Sequence, residues 1–252
     1  MDEHYVLVGA RITVELGTEA APEVVRLSQF TEGPFLQSYV LMTDGGSILI
    51  DPVRPKPQEA QRPFLDRVGA CQAIILITAL HERNVYWFRE RLGVPIYCPK
   101  QSVQTLEGSV DHAFEDGESL PGGIVPYWTG DTQEGDAVLL WMSPSGKRVL
   151  FVGDAINGQT QPGRFDGAVE PAWMRSGTIR LRLPGKVEAP GFEERFGRLR
   201  DLGVEWVLNG HNPRPIINAA IAINRVLDKG VHEYLEGGAC SYLWTELDPI
   251  PH

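Results

Sequence analysis

Four acidic or imidazole side chains follow four separate apolar runs that are typical of β-strands. They are His81, Asp131, Asp154 and His211. Because loops at the carboxyl ends of strands carry the ligand-binding groups of α/β folds, we expect these four side chains to converge. Imidazole and carboxylate groups are ligands for divalent metals such as Zn²⁺, Mn²⁺ and Fe²⁺. The residue types and their positions therefore predict a polar site with metal-binding chemistry.

The elements that would position this site alternate between strands and helices. The run Ala73–Thr78 is continuously apolar, as expected of a strand that is buried on both faces. The helix-like spacing of Arg83–Leu92 follows it, and the short strand-like run Pro95–Cys98 comes next. Such a β-α-β unit predicts a parallel strand pair joined by a right-handed crossover.

Further strand-like runs lie on both sides of this unit, and each ends within a few residues at Gly, Asp or Pro. They cover Arg11–Leu16, Val24–Phe30, Gln37–Thr43, Ser47–Ile50, Gly123–Trp128, Ala137–Met142, Arg148–Val152 and Glu205–Leu208. Helical patterns cover Phe192–Leu202 and Pro215–Asp228. Two groups of strands, each with helices, predict an α/β fold in which two mixed sheets pack face to face and helices cover the outside.

Composition excludes several classes of protein. The chain has 252 residues, with 23 Lys and Arg against 33 Asp and Glu, so its net charge is −10. Such an acidic chain is poorly suited to non-specific binding of nucleic acid, which depends on basic residues that neutralise phosphates. No apolar run approaches the roughly 20 residues of a membrane-spanning helix, and the amino terminus lacks the pattern of a signal peptide.

The three cysteines are far apart in the sequence, which is typical of reduced thiols in a cytoplasm. We therefore expect a cytoplasmic protein whose partner is a small-molecule ligand or substrate. Neither nucleic acid nor a membrane is an expected partner, and a homo-oligomer stays open.

The order of these motifs resembles the metallo-β-lactamase-fold superfamily. The hairpin that begins at Gln37 and ends in the stretch Leu49-Ile50-Asp51-Pro52 is similar to the family's early hairpin. The helix-to-strand run at 89–97 and the stretch Asp116-Gly117-Glu118 also match in order. The resemblance covers residues 24–230 of what we expect to be a single domain, residues 1–252. It implies a four-layer αββα sandwich and a hydrolase site in which an aspartate bridges two metal ions.

The family's metal-binding loop, T-H-x-H-x-D-H, keeps one metal ligand in this chain. His81 matches the second His of the loop, but Ala79, Arg83 and Asn84 stand where the first His, the Asp and the last His belong. In the later loops Asp131 replaces a His, whereas Asp154 matches the bridging Asp and His211 matches the final His. The resemblance therefore implies metal ligands among His81, Asp131, Asp154 and His211, and catalytic roles for Asp154, His211 and Arg83.

Arg83 changes the chemistry that this site can support, because a guanidinium repels a second metal ion. It could instead pair with Asp154 or Asp131, which would otherwise repel each other. We therefore expect one divalent metal (Zn, Mn or Fe) or none.

Two functions stay open. The first is a hydrolase-like protein with a degenerate, at most mononuclear site that cleaves an ester, lactone, thioester or amide. The second is a metal-free pseudo-enzyme that binds a small molecule or another partner. We expect Asn84, Trp87 and Trp173 to contact the substrate, and the Gly- and Pro-marked stretch 157–185 is a candidate lid.

Overall fold

The computed structural model describes residues 12–18, 21–29, 36–55, 58–130, 135–144, 146–157, 179–184, 187–210, 216–217, 219–229, 232–236 and 240–245. Within these ranges the chain forms sixteen strands and four α-helices. The helices are α1 (Gln58–Val68), α2 (Val85–Leu92), α3 (Ala189–Phe196) and α4 (Ala219–Lys229). The strands are β1 (Ile12–Thr18), β2 (Ala21–Gln29), β3 (Leu36–Thr43), β4 (Gly46–Ile50), β5 (Cys71–Ile75), β6 (Ile96–Pro99), β7 (His112–Phe114), β8 (Val125–Gly130), β9 (Asp136–Met142), β10 (Arg148–Val152), β11 (Ile156–Asn157), β12 (Ile179–Pro184), β13 (Trp206–Asn209), β14 (Ile216–Ile217), β15 (His232–Glu236) and β16 (Cys240–Thr245).

These strands form three sheets within the described part of the chain. The first has the order β1-β2-β3-β4-β5-β6-β7, antiparallel up to β4 and parallel from β4 to β7. The second has the order β14-β13-β10-β9-β8, in which only the pair β10 and β13 is parallel. The third is antiparallel, with the order β11-β12-β16-β15. The first two are mixed sheets, as the sequence predicts.

Side-chain alternation along the strands divides the apolar core into three clusters. In β4, Ile50 lies in the cluster between the two mixed sheets, whereas Leu49 lies in the cluster that includes Phe64 of α1 and Phe88 of α2. In β10, Phe151 belongs to the cluster between the sheets, whereas Leu150 packs in the cluster with α3 and α4. Because successive side chains of a strand point to opposite faces, the layers follow the order helix, sheet, sheet, helix. The predicted αββα sandwich is confirmed.

Several elements differ from the sequence-based expectation. Ile216 and Ile217, which the apolar pattern places in a helix, form strand β14 beside β13, and α4 begins only at Ala219. Helix α1 was not predicted, although Ala60, Phe64 and Val68 recur every four residues and are buried. Pro63 inside that helix weakens its sequence signal, because proline lacks the N–H that an interior helical residue donates.

The stretch 157–185 is only partly described. Asn157 ends β11, and Ile179–Pro184 forms β12 of the third sheet, which the sequence did not predict. Residues 158–178 and 185 lie outside the described residues, so the lid stays a prediction. Among the helices that the structure describes, none combines the length and the apolar character needed to cross a membrane.

Candidate functional site

The first mixed sheet brings two loops to the same edge. Strands β4 and β5 are parallel, and Ile50 pairs with Ile75 at the end of the ladder. The backbone N–H of Asp51, the first residue after β4, donates to the carbonyl oxygen of Ile75 at 3.0 Å. Because parallel neighbours end at the same edge of a sheet, the loop after β4 meets the loop after β5, which carries His81.

A short 3₁₀ turn directs His81 into the protein. Thr78 caps this turn, Ala79–His81, through its hydroxyl oxygen, which accepts a hydrogen bond from the N–H of Leu80 at 3.4 Å. The backbone N–H of His81 donates to the carbonyl oxygen of Thr78 at 3.1 Å. As a result, the His81 residue is only 2% exposed, whereas Leu80 is 53% exposed at the surface.

The imidazole of His81 is hydrogen-bonded to a buried carboxylate, that of Asp51. His81 Nδ1 lies 2.6 Å from Asp51 Oδ2, and Asp51 Oδ1 accepts the backbone N–H of Ile77 at 2.9 Å. A carboxylate can only accept, so Nδ1 carries the proton and Nε2 carries the lone pair of a neutral ring. Burial lowers the pKa of His81, and the nearby Arg83 charge lowers it further, although Asp51 and Asp154 act in the opposite direction.

Asp51 is the site residue that sequence reasoning missed. It belongs to the Leu-Ile-Asp-Pro stretch, which served only as a family resemblance. The sequence did contain a usable signal. Asp51 directly follows strand β4, which lies in the same sheet as β5, the strand that precedes His81.

The second mixed sheet contributes Asp154 from the opposite side. Strands β10 and β13 are parallel, so the loops after Val152 and Asn209 lie together, and the N–H of Gly210 donates to the carbonyl oxygen of Val152 at 2.9 Å. Asp154 follows β10, and its Oδ1 lies 3.9 Å from Nε2 of His81. The Asp154 side chain is 21% exposed. The three side chains therefore form a line from buried Asp51, through His81, to partly exposed Asp154.

Two glycines enclose the ring of His81. A Cβ atom on Gly210 would lie 2.8 Å from Cε1 of His81, and one on Gly153 would lie 3.3 Å from the same atom. Carbon atoms at normal contact are about 3.5–4.0 Å apart, so a side chain at Gly210 would displace the ring. The loops after β10 and β13 therefore hold His81 in place because they lack side chains at these two positions.

Hydrogen bonds between the sheets hold this edge together. The backbone N–H of Gln37 donates to the carbonyl oxygen of Gly210 at 2.7 Å, and the hydroxyl of Tyr39 donates to the carbonyl oxygen of Asn209 at 2.9 Å. The N–H of Ala137 donates to the carbonyl oxygen of Ile77 at 3.2 Å. The two halves of the site are thus fixed to each other by hydrogen bonds to main-chain carbonyl oxygens.

Arg83 enters the site from the loop between the 3₁₀ turn and α2. Its Nη1 donates to the carbonyl oxygen of Gln37 at 3.4 Å, and its Nη2 is buried without a hydrogen-bond partner among the described residues. Burial lowers the pKa of Arg83, and the charges of Asp51 and Asp154 oppose this effect. Arg83 (φ 39°) and Asp51 (φ 45°) are the non-glycine residues with positive φ in the part of the chain that the structure describes. Such backbone strain is concentrated at functional sites.

The predicted substrate-binding residues Asn84 and Trp87 have contacts on the outer side of the loop. The side-chain oxygen of Asn84 accepts the backbone N–H of Arg54 at 3.0 Å. The ring of Trp87 packs at its edge against Phe88, with ring centres 4.8 Å apart, and the guanidinium of Arg91 lies 4.1 Å from its centre. A substrate contact for either residue stays a prediction. Trp173, Asp131 and His211 lie outside the described residues.

The described donors do not make up a metal site. Both oxygens of Asp51 accept hydrogen bonds, and His81 Nε2 lies 3.9 Å from Oδ1 of Asp154. Among the described residues, no group of three or more His, Cys, Asp or Glu side chains is arranged to hold a metal ion. The buried guanidinium of Arg83 adds a positive charge beside these donors. Two of the four ligands that the resemblance implies, Asp131 and His211, lie outside the described residues, so a bound metal stays a prediction.

Comparison with known proteins places this fold among the metallo-β-lactamases. The chain is similar to the DIM-1 metallo-β-lactamase, with a TM-score of 0.58 and 13% identity over 87% of this chain and 97% of that one. It is similar to the mono-zinc form of FIM-1 from Pseudomonas aeruginosa, with a TM-score of 0.55 and 12% identity over 86% and 95% of the two chains. A Cronobacter sakazakii metallo-β-lactamase with a HARLDQ motif gives a TM-score of 0.52 and 17% identity over 76% of each chain.

No protein-family model matches the sequence, and no curated protein matches it. At identities this low, structural similarity establishes the fold, whereas activity has to be argued from the site itself.

Proposed function

We propose that this chain, which has the metallo-β-lactamase fold, is a hydrolase-like protein that binds a small molecule where His81 and Asp154 meet, with at most one divalent metal ion. The single observation that carries this proposal is the line formed by Asp51, His81 and Asp154 at the edge shared by the two mixed sheets. In α/β proteins, ligands bind at this kind of edge.

The described side chains support one step of a hydrolytic reaction, the removal of a proton from the attacking water. Asp51 holds Nδ1 of His81, so the lone pair of Nε2 faces Asp154 and can accept a proton. Asp154, which is partly exposed, lies where a water molecule or a substrate hydroxyl can approach from solvent. The substrate classes that we propose are an ester, a lactone, a thioester or an amide, all of which are cleaved by attack of water on a carbonyl carbon.

The test combines metal analysis with a substrate panel. Untreated protein is analysed for bound Zn, Mn and Fe, and is then assayed with one ester, one lactone, one thioester and one amide. We expect at most one equivalent of metal, and cleavage that Asp154→Ala lowers at least about 100-fold, because Asp154 faces the proton-accepting Nε2 of His81 where the substrate approaches. Asp66→Ala, which removes an exposed carboxylate on α1, is the matched control and should keep full activity. Two bound equivalents, or unchanged turnover by Asp154→Ala, would refute the proposal.

A second function is favoured by a different observation, namely that Arg83 lies where the family places a metal-binding Asp. In this alternative the protein is a metal-free pseudo-enzyme, and the same edge binds a small molecule without cleaving it. Ligand-dependent thermal stabilisation without bound metal and without product would support this alternative. Product formation in the substrate panel, lost in Asp154→Ala, would exclude it.

A further inference from the structure

The turn that presents Asp154 to solvent is otherwise buried. This turn covers residues 153–156, directly after β10. Gly153, Ala155 and Ile156 are buried, whereas the Asp154 side chain is 21% exposed. Main-chain carbonyl oxygens in a buried turn have to find hydrogen-bond donors within the protein. The donor that bonds to these oxygens therefore fixes the place of the Asp154 carboxylate.

The side chain of Asn209 is that donor. Asn209 is the last residue of β13, and its exposed fraction is 0%. Its Nδ2 donates to the carbonyl oxygen of Gly153 at 3.1 Å and also to the carbonyl oxygen of Ile156. An asparagine amide nitrogen has two protons, so these two hydrogen bonds use its full donor capacity. Asn209 therefore holds the turn on both sides of Asp154.

The main chain of Asn209 is itself tied to both mixed sheets. Asn209 pairs with Val152 in the parallel ladder of β10 and β13. Its carbonyl oxygen accepts the hydroxyl proton of Tyr39, from β3 of the first sheet, at 2.9 Å. The ring of Tyr39 packs at its edge against Phe151, with ring centres 5.3 Å apart. The amide that holds the Asp154 turn thus extends from a backbone position that is fixed relative to the sheet preceding His81.

The position of the turn bears directly on the distance between Asp154 and His81. A Cβ atom on Gly153 would lie 3.3 Å from Cε1 of His81, so the main chain of the turn lies against the ring. Asp154 Oδ1 lies 3.9 Å from His81 Nε2. A misplacement of about 1 Å between reacting groups can lower a rate by about 100-fold. Release of the turn from Asn209 would therefore disturb the alignment of these two side chains.

We propose that Asn209 is a positioning residue: its side-chain amide fixes the turn 153–156 and thereby sets the place of the Asp154 carboxylate opposite His81. This inference rests on the proposed function, because Asn209 takes part in the reaction only through Asp154. The two hydrogen bonds reach the main chain on either side of the one side chain in this turn that extends to solvent.

Asn209→Leu tests this role without any substrate. Leucine has the branched shape of asparagine but no donor, so the carbonyl oxygens of Gly153 and Ile156 both lose a partner. We expect the backbone amides of Ala155 and Ile156 to exchange with solvent roughly tenfold faster or more, relative to the amides of β10 in the same variant. The carboxyl-carbon resonance of Asp154 should shift in the NMR spectrum. A turn and a resonance that both stay unchanged would overturn the proposal.

Tyr39→Phe is the matched control. It removes the hydroxyl that donates to the carbonyl oxygen of Asn209, so a buried hydrogen bond is lost at the same residue, but the amide keeps both of its bonds to the turn. This variant should unfold at a lower denaturant concentration, with the relative exchange of the turn and the Asp154 resonance unchanged. Equal loosening of the turn in both variants would assign the effect to a general loss of stability and would overturn the proposal.

A mutant cycle connects the turn to turnover on whichever ester, lactone, thioester or amide is cleaved. Asn209→Leu should lower kcat at least about tenfold with little change in KM, and it should add little to the loss caused by Asp154→Ala, because both changes act on one carboxylate. Additive losses would overturn the positioning role. If no substrate of the panel is cleaved, the proposed function fails, whereas the exchange and NMR measurements still decide the role of Asn209.

Asn209→Ser keeps the role testable if Asn209→Leu does not fold. The smaller side chain leaves space in which water can bond to the two carbonyl oxygens, so this variant should fold. We expect its turn to exchange faster than that of the unmodified protein, although by less than the loss of both bonds would give. An unchanged turn in Asn209→Ser would overturn the proposal. Failure of both variants to fold would do so too, because Asn209 would then support the whole fold and not one turn.

Discussion

The segment from Thr78 to Trp87 has two faces that are built in different ways. On the outer face, the carboxylate of Glu82 accepts the backbone N–H of Glu107 at 2.8 Å, and the amide oxygen of Asn84 accepts that of Arg54 at 3.0 Å. Each of these polar groups bonds to main chain of a neighbouring loop. These two hydrogen bonds therefore hold the neighbouring loops against the start of α2.

On the inner face, polar groups meet other charged side chains. His81 bonds to Asp51 and faces Asp154. Burial lowers the pKa of Arg83, and the charges of both carboxylates act against this lowering. The backbone at Arg83 has positive φ, and its Nη2 has no hydrogen-bond partner in the described part of the chain. Strain and incomplete hydrogen bonding are thus concentrated on one face of a ten-residue segment.

The difference shows that one short segment can stabilise the fold with one face and carry the candidate site on the other. Side chains that bond to main-chain N–H groups hold the fold and are satisfied without a ligand. Side chains that face other buried charges cost stability when they are unpaired and are therefore candidates for function. Three substitutions test this division.

Asp51→Ala should have the largest effect, because it removes the acceptor of His81 Nδ1 and of the Ile77 N–H in a buried position. We expect a loss of about 3–5 kcal/mol in the free energy of unfolding, measured with denaturant. Glu82→Ala, on the outer face, is the matched carboxylate deletion and should cost about 1–2 kcal/mol. Equal losses for the two variants would contradict a difference between the faces.

Gly210→Ala should have an intermediate effect, because its Cβ would lie 2.8 Å from Cε1 of His81. We expect a cost of about 1–3 kcal/mol from overpacking, together with a shifted imidazole resonance of His81 in the NMR spectrum. Gly153→Ala, with a contact of 3.3 Å to the same atom, is the graded control and should cost less. An Ala at position 210 that leaves the His81 resonance unmoved would show that the ring is not confined there.

Asn84→Ala should have the smallest effect, because it removes one partly exposed acceptor for the N–H of Arg54. We expect a loss of about 0.5–1.5 kcal/mol in the free energy of unfolding. Asn84→Asp retains the acceptor and should recover most of the stability. If Asn84→Ala instead weakens substrate binding at full stability, the predicted substrate role is supported and the outer face is not purely architectural.

The sequence predicted the strands of the core well because their side chains alternate or are continuously apolar. Arg148–Val152 was predicted with its observed bounds, and the hairpin of β3 and β4 was displaced by a single residue at the start of each strand. Ile216 and Ile217 were assigned to a helix because a short apolar pair carries no period of its own. Their pairing with Val207 and Trp206 depends on strand β13, which lies earlier in the sequence.

The candidate site could be predicted only in part. The expectation that ligand-binding groups follow the carboxyl ends of strands identified His81 and Asp154. The structure places Nε2 of His81 3.9 Å from Oδ1 of Asp154. The same reasoning left out Asp51, which lies thirty residues before His81 and bonds to its ring. The substrate contact that it assigned to Asn84 stays a prediction, and the structure shows the amide oxygen of Asn84 accepting the backbone N–H of Arg54.

The sequence by itself determined most strands of the two mixed sheets and that polar side chains follow them, because alternation and turn residues are local properties of the chain. Only the tertiary structure decided which of these side chains meet. Asp51 reaches His81 because β4 and β5 are parallel neighbours, and Asp154 reaches it because the second sheet packs across the first. The pattern of strand-end His and Asp residues thus indicated a metal, whereas folding placed the guanidinium of Arg83 against the carbonyl oxygen of Gln37.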